Sequence, residues 1–317
     1  MKRIFTVNDV SNMDVLRLFN TADGMRSVCY GSIKSEAQGK VLATLFFEPS
    51  TRTRLSFEAA MLRLGGRVIS APDSQNLSVV KGESLMDTIE TVAQYADVIA
   101  VRSTQPFDDW YDWSYQTSTL AESKVSIINC GDGPHNHPTQ ALLDAYTLWR
   151  HFGFDSREPL GRVPQIHGIV GDLAHSRTIR SYIQLMSRQQ RHTFYCYDST
   201  GEGKKVPGLD IISDVQYVDL EEFDDLSPNF DVLYLNRVQC ERWAGDRTKS
   251  TYILTGHRRN RLKDYCAVLN PGPRKEELPV EADADRRVKM WEQVQNGLYL
   301  RMALLSWLLE RRPADLL

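Results

Sequence analysis

The chain has 317 residues, of which 42% are hydrophobic and 25% are charged, and its formal net charge is −3. This length suffices for two domains with separate cores, and the composition is that of an ordinary soluble globular protein. The weakly acidic balance gives no general attraction to nucleic acid, so no nucleic-acid partner is expected.

The cysteines and the N-terminus indicate the compartment. The chain contains five scattered cysteines, and no pair of them has the spacing of metal ligands. Such an odd set is typical of reduced thiols, so we predict a cytoplasmic protein without a metal site. The first residues, "MKRIFTVNDVSN", lack the apolar segment of a signal peptide. No run of 18 apolar residues occurs, so neither a transmembrane helix nor a membrane partner is expected.

In chain order, strand-like apolar runs alternate with segments of helical period. The runs lie at 40–47 and 97–103 and at the starts of 125–149, 165–188, 230–243 and 264–278. This alternation predicts an α/β protein of two domains, each a mainly parallel sheet flanked by helices. The polar segment 151–164 is the candidate boundary region.

Two helices stand out by their apolar periodicity. The helix after the first run is predicted to have a wide apolar face, formed by two sets of residues: Leu55, Ala59 and Leu62, and Phe57, Met61 and Leu64. The last helix, "RVKMWEQVQNGLYLRMALLSWLLERR", is long and amphipathic. We interpret it as a packing helix, in preference to a partner or membrane helix.

Polar residues follow the strands, at the positions where open α/β sheets bind ligands. Those residues are Ser50, Thr51, Arg52 and Thr53; Arg102; His137 and Gln140; Arg177; Arg237 and Gln239; and Asn270, Pro271 and Gly272. Four of these six junctions carry an arginine. Guanidinium groups match phosphates and carboxylates with paired donors, so a strongly anionic ligand is expected.

The string "STRTR", residues 50–54, begins a predicted helix. The free N–H groups and the dipole of a helix N-terminus favour anions, and the hydroxyls and Arg52 add donors and charge. Ser50 alone is more typical of an ordinary N-cap. Arg102 alone is more typical of a surface arginine, and His137 alone of a helix cap or a half-buried imidazole. The whole string favours a phosphate. No G-x-G-x-x-G follows a strand, and "GEGKK" lacks P-loop spacing, which argues against a nucleotide enzyme.

Several motifs together resemble the carbamoyltransferase family, and within it the aspartate branch. They are "FFEPSTRTRLSFE", "KGESLMDT", "GDGPHNHPTQALLD", "GDLAHSRTIRS", "LNRVQCER" and "NGLYLRMALL". The similarity runs from about residue 40 to the last helix. It implies a carbamoyl-phosphate-binding domain, 1–147, joined by a returning C-terminal helix at about 288–317. It also implies an aspartate-binding domain, 148–287, with the active site between the two.

The resemblance also implies roles for individual residues. The residues expected to bind carbamoyl phosphate are Ser50, Thr51, Arg52, Thr53, Arg102, His137, Gln140, Pro271 and Gly272. Those expected to bind L-aspartate are Lys81, Arg177, Arg237 and Gln239. Thr53, Arg102, His137 and Lys81 are expected to be catalytic. The implied reaction carbamoylates the α-amine of L-aspartate, as in pyrimidine biosynthesis, without a cofactor or a metal.

The family pattern further implies a homotrimer in which Lys81 enters the neighbouring subunit's site, with regulatory chains or a pathway partner in some members. Two positions depart from that pattern. Asn270 stands where a histidine is usual, and Ser78 matches the family's loop serine only after a one-residue shift. Two alternatives therefore stay open: a carbamoyltransferase with another amine acceptor, and a non-catalytic binding relative.

Overall fold

The computed structural model describes residues 2–26, 36–71, 82–107, 125–153, 164–188, 192–242 and 251–310. These residues contain ten β strands and eight α helices. The chain divides into two compact units, one of Met1–Thr139 with Asn296–Leu317 and one of Gln140–Gln295.

The first unit is built on a parallel five-stranded sheet of order β1-β5-β4-β2-β3. Its strands are β1 (Arg3–Ile4), β2 (Val41–Phe46), β3 (Arg67–Ala71), β4 (Val98–Ser103) and β5 (Ser126–Asp132). Its helices are α1 (Asn12–Arg26), α2 (Thr51–Arg63) and α3 (Leu85–Ala93). The central strands are buried along almost their whole length, as expected of a parallel sheet covered on both faces.

The second unit is built on another parallel five-stranded sheet, of order β10-β9-β6-β7-β8. Its strands are β6 (Ile166–Gly171), β7 (Thr193–Asp198), β8 (Val215–Tyr217), β9 (Val232–Leu235) and β10 (Ala267–Leu269). Its helices are α5 (Arg177–Met186), α6 (Leu220–Leu226) and α7 (Gly256–Arg261). Aromatic rings fill much of its core, and a Cβ atom at Gly168 would overlap the ring of Phe230.

Two helices pass from one unit to the other along the chain, α4 (Pro138–Phe152) and α8 (Met290–Leu309). The C-terminal part of α8 joins the first unit, where Arg26 Nη1 donates to Asn296 Oδ1 over 2.7 Å. Arg17 Nη2 lies 2.7 Å from Glu310 Oε1, just beyond the helix. The predicted return of the last helix to the first domain is thereby confirmed. Among the described residues, no helix has both the length and the hydropathy that a membrane span requires.

The two apolar stripes predicted for α2 differ in burial. Phe57, Met61 and Leu64 are fully buried, whereas Leu55 is 49% exposed and Leu62 is 55% exposed. The predicted wide face is therefore only partly buried in this chain, and one row of apolar side chains stays on the surface. Of the candidate boundary segment 151–164, residues 154–163 lie outside the described residues.

Candidate functional site

The topology of the first sheet marks one edge as the ligand side. From β2 the chain continues to β3 on one side, whereas β4 pairs with β2 on the other side. Loops diverge at such a switch point and leave a crevice beyond the carboxyl ends of the strands. The "STRTR" segment follows β2, and Arg102 is aligned with Phe46 at the end of β2. Both parts of the predicted anion site thus lie at this switch point.

The second sheet has the same organisation. The chain runs from β6 to β7 and β8 on one side, whereas β9 pairs with β6 on the other side. The loops after β6 and β9 therefore diverge at a second switch point. Arg177 follows β6, and Arg237 and Gln239 follow β9. The predicted carboxylate-binding residues are thus grouped by the topology of this unit.

The start of α2 is the predicted phosphate-binding segment. Ser50 has the extended backbone of an N-cap residue (φ −158°, ψ 95°), but its side chain makes no capping hydrogen bond. Thr51 and Arg52 are exposed, and Thr53 is buried. The first-turn N–H groups of a helix have no partners within the helix, so an uncapped start offers donors and a positive dipole end.

The guanidinium of Arg102 is held at the end of β4. Its Nε donates to Glu48 Oε2 over 3.2 Å, and its Nη1 donates to the carbonyl of Cys130 over 3.4 Å. Only 11% of the Arg102 side chain is exposed. These contacts fix the orientation of the planar group, so its other N–H donors have a defined direction.

His137 ends the loop between β5 and α4, and Asp132 shapes this loop. Asp132 accepts the backbone N–H of Asn136 over 2.6 Å and that of Phe107 over 3.2 Å. Burial raises the pKa of Asp132, while the hydrogen bonds that it accepts act to lower this pKa. The His137 ring is buried, and its Nδ1 lies 3.5 Å from Thr139 Oγ1.

In the second unit, the buried Asp172 joins the two arginine-bearing loops. Its Oδ1 accepts the backbone N–H of His175 over 3.2 Å and lies 2.9 Å from the Nδ1 atom of that ring. Its Oδ2 accepts the backbone N–H of Gln239 over 3.3 Å. The Gln239 side chain in turn donates to the carbonyl of His175 over 3.2 Å. Asp172 therefore fixes the loop after β6 against the loop after β9.

Arg177 and Arg237 are held differently. Arg177 is buried as the first residue of α5, behind the N-cap Ser176. Arg237 makes a bidentate pair with Glu241, in which Nη1 lies 2.8 Å from Oε2 and Nη2 contacts Oε1. The hydrogen bond that Arg237 donates to Glu241 is the main cause that raises the pKa of Arg237. Its Nη1 also donates to the carbonyl of Val238 over 3.0 Å.

The loop after β10 is anchored by Asn270, the residue that departs from the family pattern. Asn270 Nδ2 donates to Glu277 Oε1 over 3.0 Å, and Asn270 Oδ1 accepts the backbone N–H of Gly272 over 2.8 Å. Asn270 is buried, whereas Pro271 and Gly272 are partly exposed. Asn270 therefore secures this loop, at the position where the resemblance led us to expect a histidine.

The predicted residues thus form two groups, one for each unit. The first unit holds Ser50, Thr51, Arg52, Thr53, Arg102 and His137, and the second holds Gln140, Arg177, Arg237, Gln239, Pro271 and Gly272. Lys81 and Ser78 lie outside the described residues. The sequence reasoning missed four acidic residues because it searched the strand ends only for cations and donors: Glu48, Asp132, Asp144 and Asp172. The sequence signal that could have found them was an acidic residue at the end of a strand, shortly after one, or inside an apolar helix. The described residues contain no cluster of three metal-ligating side chains.

Comparison with known proteins identifies the family. Residues 2–150 match the family model for the carbamoyl-P binding domain of aspartate/ornithine carbamoyltransferase. Residues 166–308 match the model for the Asp/Orn binding domain of the same family. The chain therefore belongs to the aspartate/ornithine carbamoyltransferase family.

Individual relatives agree along nearly the whole chain. The aspartate carbamoyltransferase catalytic subunit of Bifidobacterium longum is 39% identical over 314 residues, which is 96% of this chain and 93% of the relative. The corresponding subunit of Picrophilus torridus is 36% identical, with 96% and 97% covered. The crystal structure of aspartate transcarbamoylase from Trypanosoma cruzi in complex with carbamoyl aspartate and phosphate has a TM-score of 0.81 and 30% identity, with 96% and 94% covered.

Proposed function

We infer that the chain transfers the carbamoyl group of carbamoyl phosphate to the α-amine of L-aspartate. In this reaction the amine nitrogen bonds to the carbonyl carbon and the bond from that carbon to the phosphate oxygen breaks. The departing phosphate accepts the amine proton, so N-carbamoyl-L-aspartate and phosphate are released without a separate general base. The uncapped start of α2, beside Arg102 at the switch point of the first sheet, is the observation that carries this inference.

In the first unit, we assign the phosphate to Ser50, Thr51, Arg52 and Thr53. Thr53, Arg102 and His137 would donate hydrogen bonds to the carbonyl oxygen, which becomes negative in the tetrahedral intermediate. In other enzymes, losing one such donor raises the barrier by roughly 2.7–4 kcal/mol. A neutral His137 suffices for this role because the ring needs only to donate.

In the second unit, we assign the carboxylates of L-aspartate to Arg177, Arg237 and Gln239. Gln140 and the backbone of Pro271 and Gly272 would hold the carbamoyl amide. For these roles we propose a carbamoyl-phosphate-binding domain of residues 1–147 with about 288–317, which includes Gln140, and an aspartate-binding domain of residues 148–287.

The reaction is tested by giving the purified protein carbamoyl phosphate with a panel of amines and weighing the products by mass spectrometry. We expect carbamoylation of L-aspartate in preference to ornithine, putrescine and other amino acids. Faster carbamoylation of another amine would contradict the acceptor assignment. Release of phosphate without any carbamoylated product would contradict the transfer itself.

We further propose a cytoplasmic homotrimer that acts in pyrimidine biosynthesis, with Lys81 reaching the site of the neighbouring subunit. The exposed Leu55 and Leu62 support self-association because they lie seven residues apart on one face of α2. Regulatory chains or a pathway partner belong to the same proposal.

Mixing two inactive variants tests the shared site. Refolding Lys81→Ala together with Arg52→Ala should restore part of the activity, because some hybrid sites combine two intact contributions. Each variant refolded alone is the control. Hybrid oligomers that form without any rescue would argue against a shared site.

A further inference from the structure

Asp144, on α4 in the second unit, is a fully buried acid that the proposed reaction does not use. Its Oδ1 accepts from Gln140 Nε2 over 2.9 Å and from Gln293 Nε2 over 2.7 Å. Its Oδ2 accepts from the hydroxyl of Tyr234 over 2.9 Å. Three neutral donors from separate elements therefore meet at one carboxyl group.

A carboxylate offers only acceptor oxygens, so it decides which way a neighbouring amide faces. Gln140 and Gln293 must each turn their NH₂ group toward Asp144. For Gln293 this orientation has a visible consequence, because its Oε1 then accepts the backbone N–H of Asn270 over 2.8 Å. For Gln140, the amide atom with which the side chain can meet a ligand becomes the acceptor Oε1.

Through Gln293, Asp144 also influences the conformation of the loop after β10. Gln293 holds the backbone of Asn270, and the Asn270 side chain holds the N–H of Gly272 and is itself held by the buried Glu277. Gly272 adopts φ +66°, which L residues rarely adopt, so its conformation is specific to glycine. The Gly272 N–H is used within the loop, so a ligand would meet the backbone here through the carbonyl oxygens of Pro271 and Gly272.

The Gln140 side chain and the loop after β10 therefore both provide hydrogen-bond acceptors rather than donors. We propose that Asp144 is a positioning residue that makes Gln140 and the Pro271–Gly272 backbone selective for an acyl group carrying –NH₂. This inference rests on the proposed function. It gives the carbamoyl-phosphate site a means to prefer carbamoyl phosphate over acetyl phosphate. In acetyl phosphate a methyl group replaces the –NH₂ group and cannot donate a hydrogen bond.

The test replaces Asp144 by asparagine and measures the ratio of the acetyl phosphate inhibition constant to the KM of carbamoyl phosphate. Asparagine can donate an N–H to one glutamine, which allows Gln140 to reverse its amide and to face the ligand with NH₂. We expect Asp144→Asn to reduce the ratio by at least about tenfold, because a site loses discrimination when its hydrogen-bonding pattern no longer matches the group it selects. The KM of L-aspartate should stay unchanged.

Tyr234→Phe is the matched control because it removes a donor from the other oxygen of the same carboxyl group. It should lower the unfolding temperature and leave the ratio unchanged. An unchanged ratio in Asp144→Asn, or an equal fall in Tyr234→Phe, would overturn the positioning role. If Asp144→Asn does not fold, Gln293→Met makes the same test through the loop after β10. We expect this variant to reduce the ratio, and an unchanged ratio would contradict the proposal. A wild-type protein that transfers no carbamoyl group would instead refute the proposed function.

Discussion

The helices α2 and α5 begin in the same way in sequence but not in structure. Each follows a central strand at a switch point, and each has serine at the N-cap position. Ser176 caps α5 by accepting the backbone N–H of Ile179 over 3.2 Å, and it also accepts from Asn236 Nδ2 over 2.5 Å. Ser50 makes no such capping bond at α2.

This difference indicates two ways to bind an anion. At α5 the N-cap side chain already accepts a first-turn N–H, and the carboxylate binding that we propose for this unit uses the guanidinium groups of Arg177 and Arg237. At α2 the N-cap side chain accepts no first-turn N–H, and the phosphate site that we propose there adds the nearby hydroxyls and Arg52. A free N-terminus suits a compact phosphate, whereas separate arginines suit the two spaced carboxylates of a dicarboxylic acid.

The largest effect on the proposed phosphate site should come from removing Arg52. We expect Arg52→Ala to weaken binding of a phosphonate analogue by at least about 100-fold, since a charged hydrogen-bonded contact to an anion is lost. Calorimetric titration measures this affinity, and circular dichroism should show a folded protein. Arg67→Ala is the control. This exposed arginine lies at the amino end of β3, whereas the proposed phosphate site lies beyond the carboxyl ends of the strands. Equal affinity in Arg52→Ala and wild type would contradict the phosphate assignment.

The loops after β6 and β9, which carry Arg177 and Arg237, should depend on the buried Asp172 for their stability. Asp172→Asn keeps the volume but removes one acceptor from a buried site that receives backbone N–H groups from two loops. We expect a loss of about 2 kcal/mol in the free energy of unfolding, together with a raised KM for L-aspartate. Denaturant titration and steady-state kinetics measure the two effects.

Asp225→Asn is the matched control, since the Asp225 side chain is 78% exposed and pairs with Arg261 over 3.5 Å. Its effect on unfolding should stay within about 0.5 kcal/mol. Equal losses in the two variants would show that the buried carboxylate of Asp172 has no special part in holding the loops.

The contrast between α2 and α5 could not be predicted from the sequence. Buried strands such as β4 and β5 were predictable because parallel sheets require continuous apolar runs. The positions of the arginines at strand ends followed from the same runs. Whether a serine hydroxyl turns toward its own helix depends on partners far along the chain, here Asn236 for Ser176.

The same limit applied to edge strands and to acidic residues. The edge strands β3 and β8 are largely exposed or half-buried, so they lack the apolar runs by which strands such as β2, β4 and β5 were found. Asp144 lies among apolar helix residues, and two of its hydrogen-bond donors, Gln293 and Tyr234, are about 90 or more residues away along the chain. The burial difference between Leu55 and Phe57 likewise depends on packing rather than on periodicity.

A pair of serine substitutions tests the difference between the starts of α2 and α5 directly. Ser176→Ala should lower the free energy of unfolding by about 1 kcal/mol, because a used N-cap is lost. Ser50→Ala should change it by only a few tenths of a kcal/mol, because no cap is lost, but it should weaken binding of the phosphonate. Thermal unfolding and calorimetry measure both properties in each variant. Equal destabilisation by the two substitutions would remove the distinction between an open and a closed helix start.

The smallest expected effect concerns pH and again separates the two units. In the second unit, His167 is fully buried, its Nδ1 lies 2.9 Å from the Tyr182 hydroxyl, and the His192 ring lies 5.0 Å away. Burial, and secondly the neighbouring His192, lower the pKa of His167 well below its ordinary value of 6.5. Below that value the unfolded chain takes up a proton that the folded chain refuses, so stability falls as pH falls.

Between about pH 7.5 and about pH 6.0, this single group should reduce the free energy of unfolding by about 0.8 kcal/mol. Replacing His167 by asparagine, which can still meet the Tyr182 hydroxyl from the Nδ1 position, should flatten the pH dependence by that amount even if the variant is less stable throughout. Denaturant titrations of both proteins at each pH measure the difference in slope. Parallel pH profiles would mean that His167 is protonated as readily in the folded chain as in the unfolded one, which its complete burial opposes.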